Sequence, residues 1–208
     1  SLILSLSFAN DASGEGKSFI DSVTLKAMKS FNVPGIAVAV VKEGKIVHMK
    51  GYGVASLETG APVNENTLFA IASNSKAFTS AALSILVKEG KLKWDTPVCD
   101  IIPEFRLSDP YTTRAFTISD LLSHRGGLGL GAGDLMIWPD GSDFKTSDVI
   151  YNLRFLKPAS PFRTRYQYNN LMYIVAGELI SRISGSSWES FVEERIMSPL
   201  GMTRSAGS

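Results

Sequence analysis

Between Lys17 and Phe31 the apolar residues Phe19, Ile20, Val23, Ala27 and Phe31 recur at the spacing of one helix face, and Pro34-Gly35 stops the run. The pattern then changes period. Ile36–Val41 is a continuous, β-branched apolar stretch and Lys45–Tyr52 a second strand pattern. Lys42-Glu43-Gly44 lies between them as a turn, which predicts a β-hairpin. Helical spacing resumes over Ser75–Glu89, with Phe78, Ala81, Ala82, Ile85 and Leu86 on the face expected in the core and Gly90 as the C-terminal stop. Pro97, Pro103 and Pro110 mark an irregular stretch. A short helix over Ile118–His124 ends at Gly126-Gly127, and a glycine-rich loop, Gly129–Gly141, holds Trp138 and Asp140. Two more helices are predicted. Asn170–Ser184 is closed by Gly185, and Trp188–Met197 has Ser186 and Ser187 as capping candidates. No internal repeat or low-complexity tract interrupts this order.

The predicted strands are the two of the hairpin, and both lie early. Two strands do not make an independently stable sheet, so the hairpin needs partners that the later sequence does not offer. The expectation is a fold that stops partway.

At 208 residues, with 44% hydrophobic and 20% charged residues, the composition is that of a globular protein with room for a core. A net charge of +1, with basic residues scattered, leaves no electrostatic footprint for nucleic acid or an anionic membrane. The single cysteine, Cys99, forms no intrachain disulfide and no zinc cluster, and its apolar neighbours Val98 and Ile101 predict a buried, inert thiol. Ser1–Asn10 reads as the end of a signal-peptide apolar region, residues 1–9, with Ser7 and Ala9 as the small residues before a cut. No later stretch reaches the roughly 18 apolar residues of a membrane span. The expectation is an exported protein, periplasmic or secreted.

Ser73-Asn74-Ser75-Lys76 opens the Ser75–Glu89 helix. Residues three apart share a helix face, so the hydroxyl and the amine can meet. A serine needs an adjacent base to act as a nucleophile, and a lysine becomes one when burial and positive potential lower its pKa. The first helical turn supplies such potential through its unpaired N–H groups. Tyr168-Asn169-Asn170, ahead of the Asn170–Ser184 helix, is the second feature. A tyrosine beside a cation can shuttle a proton, and an asparagine can grip a substrate amide or ester through its donor and its acceptor.

Together these segments resemble the penicillin-recognising serine hydrolases of the class C β-lactamase-like group, which includes family VIII esterases and D-alanyl-D-alanine carboxypeptidases. Ser73-x-x-Lys76 and Tyr168-x-Asn170 are similar to its first two motifs. Leu121-Leu-Ser-His-Arg-Gly-Gly-Leu128, Gly90-Lys-Leu-Lys-Trp-Asp-Thr-Pro-Val98, Pro199-Leu-Gly-Met202 and Pro34-Gly-Ile-Ala-Val-Ala-Val-Val41 resemble other segments of the group, in the same order, over residues 17–204. The resemblance implies an α+β, β-lactamase/transpeptidase-like fold. A helix and hairpin over 17–56 and a mostly helical region over 67–204 would form its N-terminal portion, residues 10–208. It implies Ser73, Lys76 and Tyr168 as catalytic residues, Asn170 as substrate-binding, and neither cofactor nor metal. The substrate would be a small molecule or peptide with an amide, ester or lactam carbonyl. The group's third motif, (Lys/His)-(Ser/Thr)-Gly, has no match after Tyr168. The chain alone is therefore expected to fold incompletely and to be inactive, unless a complementing chain supplies the C-terminal half. The alternative is a catalytically silent binding or cell-wall-sensing relative, against which both intact motifs argue.

Other features read as structural. Gly14-Glu-Gly-Lys-Ser18 lacks the glycine that a phosphate loop needs at Asp11. His124 has no Gly-x-Ser-x-Gly elbow to serve and is expected to be structural. His48 faces either solvent or a packed neighbour. Trp138 and Asp140 are read equally as entrance residues or surface packing. Arg163, Arg165 and Tyr166 are expected to be solvated.

Overall fold

The computed structural model describes residues 14–138 and 143–207, so the expectations for residues 1–9, Asp11 and Asp140 lie outside the described residues. The chain divides into two compact units, residues 1–70 and 71–208.

In the first unit, helix α1 (Gly14–Phe31) precedes strands β1 (Gly35–Lys42) and β2 (Lys45–Gly53). The strands pair antiparallel from Gly35↔Gly53 to Lys42↔Lys45, with a register shift between Val40 and Val41. The turn is carried by Glu43 and Gly44, both at positive φ. Gly51 is required by packing, because a Cβ there would meet the Val63 carbonyl oxygen at 2.3 Å. His48 is buried, and its Nε2 lies 2.8 Å from Tyr52 Oη. Tyr52 in turn donates to Asp21 of α1 at 2.6 Å. Burial, and then the Asp21 carboxylate, push the Tyr52 phenol up to about 12. Among the described residues Tyr52 and Val63 are the buried apolar residues of this unit, alternate positions of β1 are half-buried, and Val41, Ile46 and Met49 of the hairpin are exposed. Among the described residues the sheet has two strands.

The second unit holds the core. Helix α2 (Ser75–Lys88) packs on α7 (Leu171–Ser184), and around them lie α3 (Val98–Ile101), α4 (Pro110–Ala115), α5 (Ile118–Leu122), α6 (Thr146–Asn152) and α8 (Trp188–Val192). Leu83, Leu86, Phe105, Phe116, Leu121, Leu171 and Leu179 are fully buried. The inward face of α2 is rotated from the expected one. Thr79, Ala82, Leu83 and Leu86 are buried, Phe78 and Ile85 are half-buried, and Ala81 is exposed. The helix ends as Gly90 predicts. Gly90, at φ 73, bonds back to Val87, and Lys91 N–H reaches the Leu86 carbonyl.

Differences from the expected elements have local causes. The proline-marked stretch contains α3 and α4, and α4 is started by Pro110 with the Asp109 carboxylate accepting from Thr112 N–H at 2.6 Å. The α5 helix stops at Leu122 because His124 turns to φ 55. The apolar pattern does not announce α6, whose N-cap position is held by Lys145, not a capping residue type. The last helix continues beyond Val192 with wider turns, Ser198 N–H bonding to the Glu193 carbonyl five residues back. Cys99 is half-buried.

Candidate active site

Ser73, Lys76, Tyr168 and Asn170 all lie in the 71–208 unit, and the fold brings them together. Ser73 sits in a tight turn, Ala72–Asn74, that runs directly into α2. Ala72 adopts φ 43, a strained left-handed conformation for a residue with a side chain. Lys76 follows in the first turn of α2, and its Nζ donates to Ser73 Oγ at 2.9 Å. From the opposite side, the segment entering α7 places Tyr168 Oη 2.5 Å from Ser73 Oγ. Asn170, immediately before α7, accepts from Lys76 Nζ through Oδ1 at 2.9 Å. The Lys76 ammonium also lies 4.8 Å from the centre of the Tyr168 ring and 5.3 Å from that of Tyr173.

This geometry sets the electrostatics. Burial acts to raise the Tyr168 phenol. The Lys76 ammonium and the bonded Ser73 hydroxyl outweigh it, so the phenol is held below its ordinary value of 10. Asp134, on the glycine-rich loop, acts in the raising direction. Burial, then the Lys76 charge, hold His124 below its ordinary 6.5.

The surrounding residues explain why the Tyr168 segment stands where it does. His124 contacts this segment at several points. Its Nδ1 accepts the Asn169 N–H at 3.3 Å, its carbonyl accepts the Gln167 N–H at 2.6 Å, and its ring packs 4.5 Å from that of Tyr168. Asn169, fully buried between the two named motif residues, donates to the Gly129 and Ala132 carbonyls at 3.3 and 3.0 Å. Arg163 is exposed, as expected, but it is also tied to a buried partner. Its guanidinium bonds both oxygens of the buried Asp120, at 3.0 and 2.7 Å, and Arg125 donates to the same carboxylate at 2.6 Å. Arg165 and Tyr166 are exposed, although Tyr166 meets the His124 ring edge-on at 5.5 Å. Trp138 is exposed as well. Asp134 and Asn169 were not singled out by their residue types. The available signals were an acidic side chain in a glycine-rich loop and the middle position of Tyr-x-Asn.

A cavity of about 520 Å³ opens beside Ser73 and Lys76, with Thr79, Ile137, Tyr173 and Trp188 among its walls. A smaller cleft of about 360 Å³, bounded by Leu107, Leu128, Leu156 and Phe162, includes none of the four residues. Among the described residues there is no cluster of His, Cys, Asp and Glu able to hold a metal ion, and no helix long and apolar enough to cross a membrane.

The chain is 41% identical over 183 residues to the unguisins hydrolase ungD of Aspergillus violaceofuscus, covering 86% of this chain and 32% of that protein. It is 34% identical over 196 residues to esterase EstB of Burkholderia gladioli, covering 88% and 49%. Among solved structures, a class C β-lactamase superposes with a TM-score of 0.79 at 28% identity, over 95% of this chain and 52% of that one. The octameric penicillin-binding protein homologue of Pyrococcus abyssi superposes with a TM-score of 0.76 at 30% identity, over 91% and 44%. The mixed helix-and-strand architecture is therefore that of the β-lactamase and penicillin-binding fold, and the chain spans 32% and 49% of the length of these two curated relatives. The family model described as Beta-lactamase matches residues 20–206, and the chain belongs to the β-lactamase family.

Proposed function

We propose that this chain carries the nucleophile and proton-transfer groups of a serine hydrolase acting through an acyl-enzyme on an amide, ester or β-lactam carbonyl. The observation that supports it most is the position of Ser73 Oγ, 2.5 Å from the Tyr168 phenol oxygen and 2.9 Å from Lys76 Nζ. Ser73 Oγ attacks the carbonyl carbon, and its proton passes to Tyr168. Its 2.5 Å contact with Ser73 Oγ gives Tyr168, as phenolate, the accepting role, and the adjacent Lys76 ammonium favours that charged form. Collapse of the tetrahedral adduct breaks the bond to the leaving group, which takes the proton from Tyr168. Water then cleaves the Ser73 ester by the reverse sequence. Asn170 binds the acyl side of the substrate. The Ser73 N–H, in the first turn leading into α2, supplies one oxyanion donor, and loss of such a donor typically costs about 10²–10³ in rate.

The second oxyanion donor, on the strand with the third motif, has to come from outside this chain. The chain alone is accordingly inactive or nearly so, and a polypeptide joining it to that motif is the active unit. The named activity of one curated relative, an esterase, supports ranking ester carbonyls ahead of β-lactams. An exported location rests on the apolar residues 1–9. A p-nitrophenyl ester and a chromogenic lactam, assayed on the polypeptide containing both this chain and the third motif, test the reading. Ester turnover abolished by Ser73→Ala is expected. No turnover and no labelling by a fluorescent penicillin would point to a silent binding relative.

A further inference from the structure

Asn170 is held at both ends of its amide. Its Oδ1 accepts from Lys76 Nζ at 2.9 Å, and its Nδ2 donates to Asp134 Oδ2 at 3.0 Å. The two ends of a carboxamide have nearly the same shape, so hydrogen-bond partners decide which way it points. An ionised carboxylate offers only acceptors and an ammonium only donors. Between Asp134 and Lys76, one orientation satisfies both contacts. The flipped amide would set NH2 against ammonium and oxygen against carboxylate.

The loop around Asp134 is built for close approach. Gly133, at φ 83, leaves no room for a side chain, because a Cβ would meet Leu171 Cδ1 at 2.4 Å. Ile137 and Trp138 N–H groups both bond to the Asp134 carbonyl at 2.9 Å. The Asn169 side chain ties the same loop down through Gly129 and Ala132. The other carboxylate oxygen, Asp134 Oδ1, is buried with no hydrogen-bond partner among the described residues. Burying a carboxylate oxygen without a donor is costly, which marks Asp134 as kept for more than packing.

We propose that Asp134 is a positioning residue for acylation, fixing Asn170 with its amide oxygen toward Lys76 so that the ammonium stays on the Ser73 hydroxyl; this rests on the acyl-enzyme reading above. Lys76 from α2, Tyr168 and Asn170 ahead of α7, Tyr173 of α7 and His124 beyond α5 are the titratable and polar groups gathered here. The Asp134 charge opposes ionisation of Tyr168, so removing it moves that ionisation to lower pH.

Asp134→Asn, which keeps the shape, tests the proposal in the polypeptide that carries the third motif. A hydrogen bond to a charged group corresponds to roughly 10- to 100-fold in rate. Asp134→Asn is expected to slow acylation of Ser73 by about that much and to move the acid limb of the pH profile downward. In an Asn170→Ala background the same change is expected to have less than about twofold effect on the rate above the acid limb, because the positioning acts through Asn170. Asp134→Glu, which retains acceptors only, should stay closer to wild type than Asp134→Asn. An unchanged rate and pH limb in Asp134→Asn would overturn the proposal, as would an equal loss with and without Asn170. Nitrogen-15 spectra give a readout independent of turnover. Asp134→Asn should move both the Asn170 side-chain amide and Lys76 Nζ, and an unmoved Lys76 signal overturns the proposal even where wild-type Ser73 is never acylated. Failure of wild-type acylation alone counts against the hydrolase reading instead.

Discussion

Replacing Asp120 by asparagine should cost about 3 kcal/mol of stability, at the lower end of the 3–5 kcal/mol typical for breaking a buried ion pair. The Asp120 side chain is fully buried, yet both its guanidinium partners are 42% exposed. Arg125 and Arg163 can therefore recover water when the charge is lost, which pulls the cost down from the top of that range. What remains is local. Thr117 donates to Oδ2 through its N–H at 2.9 Å and its hydroxyl at 2.8 Å, so an asparagine NH2 has to face donors on one side or the other. For a chain of this size each kcal/mol moves Tm by about 2–4 °C, so a fall of roughly 6–12 °C is expected. Trp94, Trp138 and Trp188 all lie in the 71–208 unit, so tryptophan fluorescence in urea reports on the unit that changes. The pH dependence has a definite sign. Burial raises the Asp120 carboxyl, but the bonds from Arg163, Thr117 and Arg125 prevail and hold it below the ordinary carboxylate range. Its contribution is therefore present above the unfolded value of about 3.9 and is lost as pH falls through the lower native value. Wild type and Asp120→Asn should converge in that acid range. A loss under about 1 kcal/mol at neutral pH, or a difference that persists undiminished in acid, would refute the reasoning.

Three further substitutions probe other parts of the account. Leu83→Ala, at a fully buried position of α2, should lower stability by about 3 kcal/mol in chemical denaturation. Gly133→Ala combines positive φ with a Cβ contact of 2.4 Å to Leu171. It should lower Tm through about 1–2 kcal/mol of backbone strain and weaken the loop that carries Asp134. Tyr168→Phe keeps the ring beside His124 while removing the hydroxyl that meets Ser73, the proposed proton acceptor. It should slow acylation by roughly 10²–10⁴ with circular dichroism unchanged.

Much of the site was legible because its chemistry is local in sequence. Ser73 and Lys76 are one helical turn apart, so their meeting follows from the helix alone. Tyr168 and Asn170 could be named as a motif, but their approach to Ser73 is a tertiary fact, made by packing α2 on α7. Asp120, Arg125 and Arg163 escaped because ion pairs to one buried carboxylate leave no periodic trace. Arg163 lies 43 residues from Asp120, in a segment that reads as a polar loop. The hairpin was visible from its period and its turn, and the shortage of strand partners from counting. The inward face of α2 was misjudged at Ala81, since small residues fit core and surface alike. Helix α6 was missed because its ends carry weak signals and its few turns cannot establish a period.

Intact-mass spectrometry with peptide mapping tests the central claim most directly. The polypeptide carrying Ser73 together with the third motif would be exposed to a fluorophosphonate or an activated ester. The account predicts one stoichiometric adduct on the Ser73 peptide, absent in Ser73→Ala and much slower to form in Tyr168→Phe. A folded protein with no adduct on that peptide, or one whose label lies on another serine, would contradict it.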